Sequence, residues 1–176
     1  MRHSLLAVLL ACAALWGAPA RAEIKLDGAQ WQASQGLPPA RRFADVAGLS
    51  LPGGSLKARV RARVKVRNAA PAPAEGVLLR YALSARLAAV GADAEAVARA
   101  PWVVPFVVEE KRVPRIGPHQ TIEASLDPTT LLRLYAARMR KAGYRILELR
   151  LQVMVEPHRG VKEEIQTLES RVNVTE

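Results

Sequence analysis

The sequence contains very little cysteine, histidine and aromatic residue. Among its 176 residues are one cysteine, three histidines, three tryptophans, three tyrosines and two phenylalanines. A single cysteine excludes an internal disulfide framework and a cysteine-built zinc site. Three histidines leave few ligands for a metal centre, and so few rings provide no cluster for a carbohydrate platform.

Sequence signatures of catalysis are also missing. Gly53-Gly54-Ser55 lacks the lysine and the helix that follow in a phosphate-binding loop, and no Gly-x-Ser-x-Gly elbow occurs. Glu109 and Glu110 are adjacent, so on a strand they point to opposite faces and form no acid–base couple. We therefore expect a protein that is not an enzyme, with no catalytic residue, no metal site and no cofactor.

The first 22 residues have the features of a secretory signal peptide. Arg2 and His3 precede an apolar run of about a dozen residues, which is too short to span a bilayer comfortably. Ala20-Arg21-Ala22 has small residues at the positions that a signal peptidase reads, so we expect cleavage after Ala22. The mature chain is then periplasmic or secreted from a bacterium, with no transmembrane segment.

A second interpretation of this segment concerns Cys12. Leu9-Leu10-Ala11-Cys12 is similar to the lipobox of bacterial lipoproteins, in which the cysteine carries a lipid anchor. The sequence thus leaves lipid anchoring at Cys12 as the alternative to a freely diffusing exported protein.

Residues 23–176 have the composition of one globular domain. Hydrophobic residues make up 50% of the chain and charged residues 24%, which is not the balance of a disordered protein. Lysine and arginine total 26 against 16 acids, giving a formal net charge of +10. The protein is therefore basic, and anionic partners have to be considered.

Strict alternation of apolar and polar residues predicts mostly β-strands. Residues 56–67 are the clearest case, because twelve residues of period two cannot form an amphipathic helix. Further strands are predicted at 77–89, 102–108, 121–126, 145–156 and 165–175, with weaker candidates at 29–33 and 43–51. Pro101 and Pro105 favour an edge strand or a bulge in the 102–108 segment.

One helix interrupts the strands at about 128–142. Asp127 is placed as its cap, Pro128 at its first position, and Gly143 as a left-handed residue at its end. Its predicted apolar face consists of Leu131, Leu132, Tyr135, Met139 and Ala142. A short helix starting at Asp93 is also compatible with the alanine-rich segment that follows.

Seven or eight short strands with one-sided alternation predict an all-β, immunoglobulin-like antiparallel β-sandwich with one inserted helix. Residues 57–68, a turn rich in proline and alanine, and residues 76–81 resemble strands B and C of bacterial immunoglobulin-like or fibronectin type III-like domains. Residues 116–121 are similar to the turn before strand E, and 145–156 and 166–174 to strands F and G. The resemblance covers most of 56–175. It implies a fold and a non-enzymatic role and assigns no functional residue.

The strand at 56–67 also carries an uninterrupted row of cations on one face, which we call the basic row. Its members are Lys57, Arg59, Arg61, Arg63, Lys65 and Arg67. The row can bind an anionic polymer, be covered by a protein partner, or be neutralised by acids on a neighbouring strand. Glu148 and Glu156 are the candidate acids for neutralisation.

From these features we expect a non-catalytic exported β-sandwich that acts as a binding or accessory subunit in a protein assembly of the cell envelope. The alternative is a protein that binds an anionic envelope polymer, such as lipopolysaccharide or an acidic glycan, through residues 57–67. Nucleic acid is not expected as a partner.

Overall fold

The computed structural model describes residues 23–35, 42–155 and 165–176. The predicted signal peptide, Cys12 and Glu156 lie outside these described residues. The described residues form two β-sheets and two short helices, as the all-β sandwich prediction required. The elements are β1 (Ile24–Gln35), β2 (Arg42–Asp45), β3 (Gly48–Ser50), β4 (Val60–Asn68), β5 (Leu78–Ala89), α1 (Ala94–Ala98), β6 (Val107–Arg112), β7 (Thr121–Leu126), α2 (Thr129–Lys141), β8 (Tyr144–Val155) and β9 (Thr167–Thr175).

One sheet has the strand order β2-β1-β4-β7 and the other has the order β3-β9-β8-β5-β6. Neighbouring strands are antiparallel, except that β3 pairs in parallel with β9. β4 therefore lies inside the first sheet, between β1 and β7, while β5 and β8 form the centre of the second sheet.

The core lies between the two sheets and consists of the inward faces of their strands. On β4 the buried residues are Val60, Ala62, Val64 and Val66, which confirms the side predicted to be apolar. Leu79 and Leu83 of β5 and Leu149 and Leu151 of β8 are buried on the other sheet. Each buried valine or leucine contributes roughly 1.5–3 kcal/mol, so alternation determines which face of each strand is buried.

The basic strand starts later than predicted, at Val60 instead of residue 56. Arg59 still bonds to β1, because its backbone N–H donates to Ser34 Oγ (2.8 Å) and its carbonyl accepts from the Ser34 N–H (2.7 Å). Before that point the chain leaves the sheet, and the Leu56 carbonyl accepts a hydrogen bond from Arg133 Nε of α2 (3.1 Å). Lys57 thus precedes the strand.

The strand predicted at 102–108 is displaced to Val107–Arg112. Pro101 and Pro105 cannot donate to a ladder, and only irregular bonds to β5 form here, from Val103 N–H to Ala85 O and from Phe106 N–H to Leu83 O (both 2.9 Å). Regular pairing with β5 begins after the second proline.

The candidate strand at 43–51 is two strands that belong to different sheets. β2 pairs with β1, and β3 pairs with β9. This division raises the number of strands to nine in the described part of the chain, against the seven or eight predicted.

Ser84 and Ile146 are buried, although simple alternation along their strands places both on the outer face. Ser84 is buried, because residues after β5 fold back over its outer face and Arg86 of β5 donates to the carbonyls of Val97, Ala98 and Ala100 (2.7–3.0 Å). In β8 an irregularity next to Arg86 makes Ile146, and not Leu147, the buried residue.

The inserted helix α2 is one residue shorter at each end than the predicted 128–142. Pro128, and not Asp127 as predicted, is the N-cap residue, and no side chain caps this end. Asp127 lies one residue earlier, where its Oδ1 accepts the Thr129 N–H (3.1 Å), and Gly143 follows the helix with φ of 82°, as a left-handed end requires. α1 has the expected cap, since Asp93 Oδ1 accepts the Ala96 N–H (2.7 Å). Neither described helix has the length and hydropathy needed to cross a membrane.

Candidate functional site

Five cations of the basic row, from Arg59 to Arg67, lie on or just before β4 on the outer face of the first sheet, and Lys57 precedes them outside the sheet. β1 and β7 flank this strand, and their registers set Gln30 and Ser125 opposite Arg63, and Glu123 opposite Lys65. The alternation predicted for the row is therefore confirmed from Arg59 to Arg67. What the sequence did not reveal is which side chains stand beside it.

Three cations of the row form ion pairs with acids from neighbouring elements. Arg59 contacts Asp127 just after β7 (2.6 Å), Arg63 contacts Glu123 of β7, and Arg67 contacts Asp27 of β1 (2.8 Å). All three pairs are partly exposed, so each contributes at most about 1 kcal/mol to stability. Their larger effect is to reduce the positive potential of the face.

The acids proposed for this neutralisation from sequence were wrong in one case and untested in the other. Glu148 belongs to β8 in the opposite sheet, where it lies 3.8 Å from Arg86. Glu156 is outside the described residues. The true partners, Asp27, Glu123 and Asp127, became visible only with the strand order, although all three stand in or next to alternating segments.

Arg61 has no ion-pair partner in the part of the chain that the structure describes. Its Nε donates to Gln32 Oε1 (2.7 Å), and its guanidinium lies 4.0 Å from the centre of the Phe43 ring. Gln32 is buried and its Nε2 donates in turn to Asp45 (2.6 Å). The chain of contacts from Arg61 to Asp45 links three strands and fixes the guanidinium in place.

Asp127 joins the basic row to helix α2. Burial raises the pKa of its carboxyl, but hydrogen bonds from Thr129 and Arg59 outweigh that effect and hold the pKa below its usual value. The carboxylate is therefore ionised at neutral pH and permanently compensates Arg59. Among the described residues Lys57, Arg61 and Lys65 have no ion-pair partner. Since Arg61 is held by Gln32 and Phe43, Lys57 and Lys65 are the two cations left available to an anion.

A shallow depression on the same face has a mixed lining. Asp27, Asp45 and Glu123 contribute carboxylates, and Arg63 and Lys65 contribute cations. Within residues 23–35, 42–155 and 165–176 no group of three or more histidine, cysteine or acidic side chains is placed to hold a metal ion. The depression thus offers ion-pair chemistry of both signs and no dominant charge.

The outer face of the second sheet carries a different cluster, centred on Trp102. The ring lies 4.6 Å from the guanidinium carbon of Arg150 and 5.5 Å from that of Arg171. Arg171 also binds Glu169 (2.6 Å), and this hydrogen bond lowers the pKa of the Glu169 carboxyl. These contacts hold residues 90–106 against the sheet, and we assign the cluster to packing.

An exposed apolar patch lies at helix α2, and we call it the α2 patch. The rings of Phe106 and Tyr135 are stacked, with centres 3.8 Å apart and planes within 5°. Burial against this neighbour raises the pKa of the Tyr135 hydroxyl. Leu131 and Leu134 precede Tyr135 by four and one residues and are 38% and 64% exposed.

Val104 is 82% exposed, and we include it in the α2 patch because it stands two residues before Phe106 in the chain. The apolar face predicted for the helix is confirmed only in part. Leu132 is buried and Tyr135 packs against the core, whereas Leu131 and Ala142 are exposed and Ala136 is buried. The signal was present, since leucine at 131, 132 and 134 followed by Tyr135 exceeds what one buried stripe requires.

The sequence matches no protein-family model and no curated protein.

Proposed function

We propose that the protein is a non-catalytic, exported β-sandwich that serves as a binding or accessory subunit in a protein assembly of the bacterial cell envelope. The α2 patch is the surface through which it contacts its partner. The exposure of Leu131, Leu134 and Val104 around the Phe106–Tyr135 stack is the observation that carries this proposal, because large exposed apolar side chains grouped together are typical of protein interfaces.

The strand order supports an immunoglobulin-like identity. β1, β4 and β7 correspond to strands A, B and E, and β5, β6, β8 and β9 to strands C, C′, F and G of that fold. Helix α2 then connects E to F. Such sandwiches serve many unrelated functions, so the fold supports a binding role only together with the surface.

The charge arrangement favours a protein partner over an anionic polymer. Ion pairs to Asp27, Glu123 and Asp127 occupy three of the six cations, and a polymer phosphate has to compete with each of these acids. Lys57 and Lys65 remain as the basis of the alternative, a binder of lipopolysaccharide or acidic glycan.

Export supports the cell-envelope location. Residues 1–22 have the pattern of a signal peptide cleaved near Ala22, and the competing lipobox at Cys12 would hold the same domain at a membrane surface. Either form reaches a partner beyond the cytoplasmic membrane.

The test is capture of partners from envelope extract by the wild-type chain and two matched variants. Leu134→Asp adds a charge within the α2 patch, whereas Val90→Asp adds the same charge at a valine that is 62% exposed elsewhere. We expect a protein that survives washing in about 0.5 M salt with the wild type and the Val90 variant and disappears with the Leu134 variant.

Two outcomes would contradict the proposal. Equal capture by the Leu134 variant means that the α2 patch is not the interface. Retention of a polymer instead of a protein, lost in a Lys57→Gln, Lys65→Gln double variant, favours the polymer alternative.

A further inference from the structure

Among the described residues β6 is the edge strand of the second sheet, and no other strand pairs with its outer side. Only Val107 of its six residues is buried, and the strand pairs with β5 alone in the described part of the chain. The Val113 N–H donates to the Val77 carbonyl of β5 (3.0 Å). Because alternate residues of an antiparallel ladder bond to the same neighbour, Val108, Glu110 and Arg112 turn their backbone groups to the open edge.

The charged residues of β6 are ordered so that an antiparallel copy of the strand places opposite charges against each other. Glu109 and Glu110 are followed directly by Lys111 and Arg112. Among the described residues neither Lys111 nor Arg112 has an ion-pair partner, so these cations are available. An antiparallel copy of the strand brings acids opposite bases, which stabilises cross-strand pairs.

Symmetry restricts the register of such a pair. A two-fold axis normal to the sheet keeps each side chain on its own face, so opposing residues must be an even number of positions apart and the axis passes through one residue. With the axis at Glu110, Glu109 of each copy lies opposite Lys111 of the other, so the interface contains two such pairs. Val108 then lies opposite Arg112.

The neighbouring registers are less favourable. An axis at Lys111 also forms two opposite-charge pairs, Glu110 with Arg112, and sets two lysines against each other. Its disadvantage is that it brings Pro114, which has no N–H, into the ladder opposite Val108. An axis at Glu109 sets two acids together with no compensating pair. At the chosen register the two central Glu110 side chains also face each other, but each already binds Arg80 of its own chain (2.8 Å).

We propose that the chain forms a two-fold dimer by antiparallel pairing of β6 with β6 of a second copy, which joins the two five-stranded sheets into one. This goes beyond the proposed function, because the dimer uses the backbone and charges of β6 and not the α2 patch. The interface rests on one short strand, so the dimer is concentration-dependent and is weakened by salt.

The test is charge reversal with complementation, followed by sedimentation equilibrium at low ionic strength. Lys111→Glu alone and Glu109→Lys alone each place like charges at both pairs, and each raises the dimer dissociation constant by on the order of tenfold or more. An equimolar mixture of the two variants restores both opposite-charge pairs and recovers dimer. Lys65→Glu, the same change on the other sheet, leaves the wild-type constant unaltered.

Glu109 accepts a hydrogen bond from the hydroxyl of the buried Tyr81, so Glu109→Lys can fail to fold. A second variant covers that case. Glu110→Pro removes an N–H that faces the open edge and leaves the β5 ladder intact, so it abolishes dimer while preserving the circular dichroism of the monomer. A wild-type chain that stays monomeric at submillimolar concentration overturns the proposal and leaves the edge to another protein or to solvent. A dimer unaffected by Lys111→Glu and Glu110→Pro overturns it as well.

Discussion

At the scale of single residues, Thr129 ties the start of α2 to the start of β4. Its Oγ1 accepts the Val60 N–H (2.9 Å) and donates to the Val60 carbonyl (2.8 Å), and both residues are buried. One hydroxyl therefore satisfies two backbone groups at the point where β4 enters the sheet. Buried backbone groups without partners are rare because each one is costly.

Replacing Thr129 by valine should therefore be strongly destabilising despite the similar shape. Thr129→Val removes the hydroxyl and leaves the N–H and carbonyl of Val60 buried without partners, so we expect a loss of about 2–4 kcal/mol in the free energy of unfolding. Thr129→Ser keeps the hydroxyl and should lose no more than about 1 kcal/mol. Urea denaturation measures both, and equal losses would show that the methyl group matters more than the hydrogen bonds.

The basic row illustrates what the sequence predicts at this scale. Alternation placed the cations from Arg59 to Arg67 on one outer face, and the structure confirms it. The environment of Arg61 could not be predicted, because Gln32 and Phe43 lie on two other strands of the sheet. A side chain's face follows from its own segment, whereas its neighbours follow from strand order.

At the scale of elements, local signals located helix α2 to within one residue at each end. Pro128 and Gly143 act through backbone geometry, and Asp127 acts through its hydrogen bond to the Thr129 N–H, so all three effects depend only on nearby residues. The buried face was predicted less well, since Leu131 points outward and Leu132 inward. With apolar residues around more than one stripe, only the position of the sheets decides which leucine is covered.

This difference between neighbouring leucines predicts contrasting effects on stability. Leu132 is fully buried, so Leu132→Ala should lower the free energy of unfolding by about 3 kcal/mol through lost burial and a cavity. Leu134 is mostly exposed, so Leu134→Ala should change it by less than about 0.5 kcal/mol. Thermal and urea unfolding of the two variants provide the measurement, and similar losses would mean that the helix is rotated from the orientation described.

The misplaced strand at 102–108 shows where periodicity misleads. The segment is rich in β-branched and aromatic residues, yet two prolines interrupt its donors and the ladder forms only after them. The following Glu109–Arg112 stretch has no apolar alternation, because on an edge strand both faces reach solvent. A search for alternating apolar and polar residues therefore misses an edge strand of this kind, because it requires one buried face.

At the scale of the whole molecule, alternation specifies which face of each strand is buried, but it does not specify which strands are neighbours in a sheet. Residue pairs such as Arg67 with Asp27 or Arg63 with Glu123 lie on strands far apart in the chain. Glu148 was a reasonable choice for the basic row until the order of strands assigned β8 to the other sheet. The fold class was thus predictable. The sequence also indicated that acids on neighbouring strands could neutralise the basic row, but it did not identify which acids.

The opposite faces of β4 provide the sharpest test of the whole arrangement. Replacing Arg59, Arg61 and Arg63 together by glutamine removes two exposed ion pairs and the contacts of Arg61, so we expect a loss of about 1–3 kcal/mol and a folded protein. Val64→Asp buries an unpaired carboxylate between the sheets and should unfold the chain at room temperature, since its penalty rivals the whole stability of a domain. Circular dichroism on heating distinguishes the two variants, with Val64→Ala as the control for lost volume alone. If Val64→Asp melts like the triple variant, β4 does not have its apolar side in the core and the assignment of both faces fails.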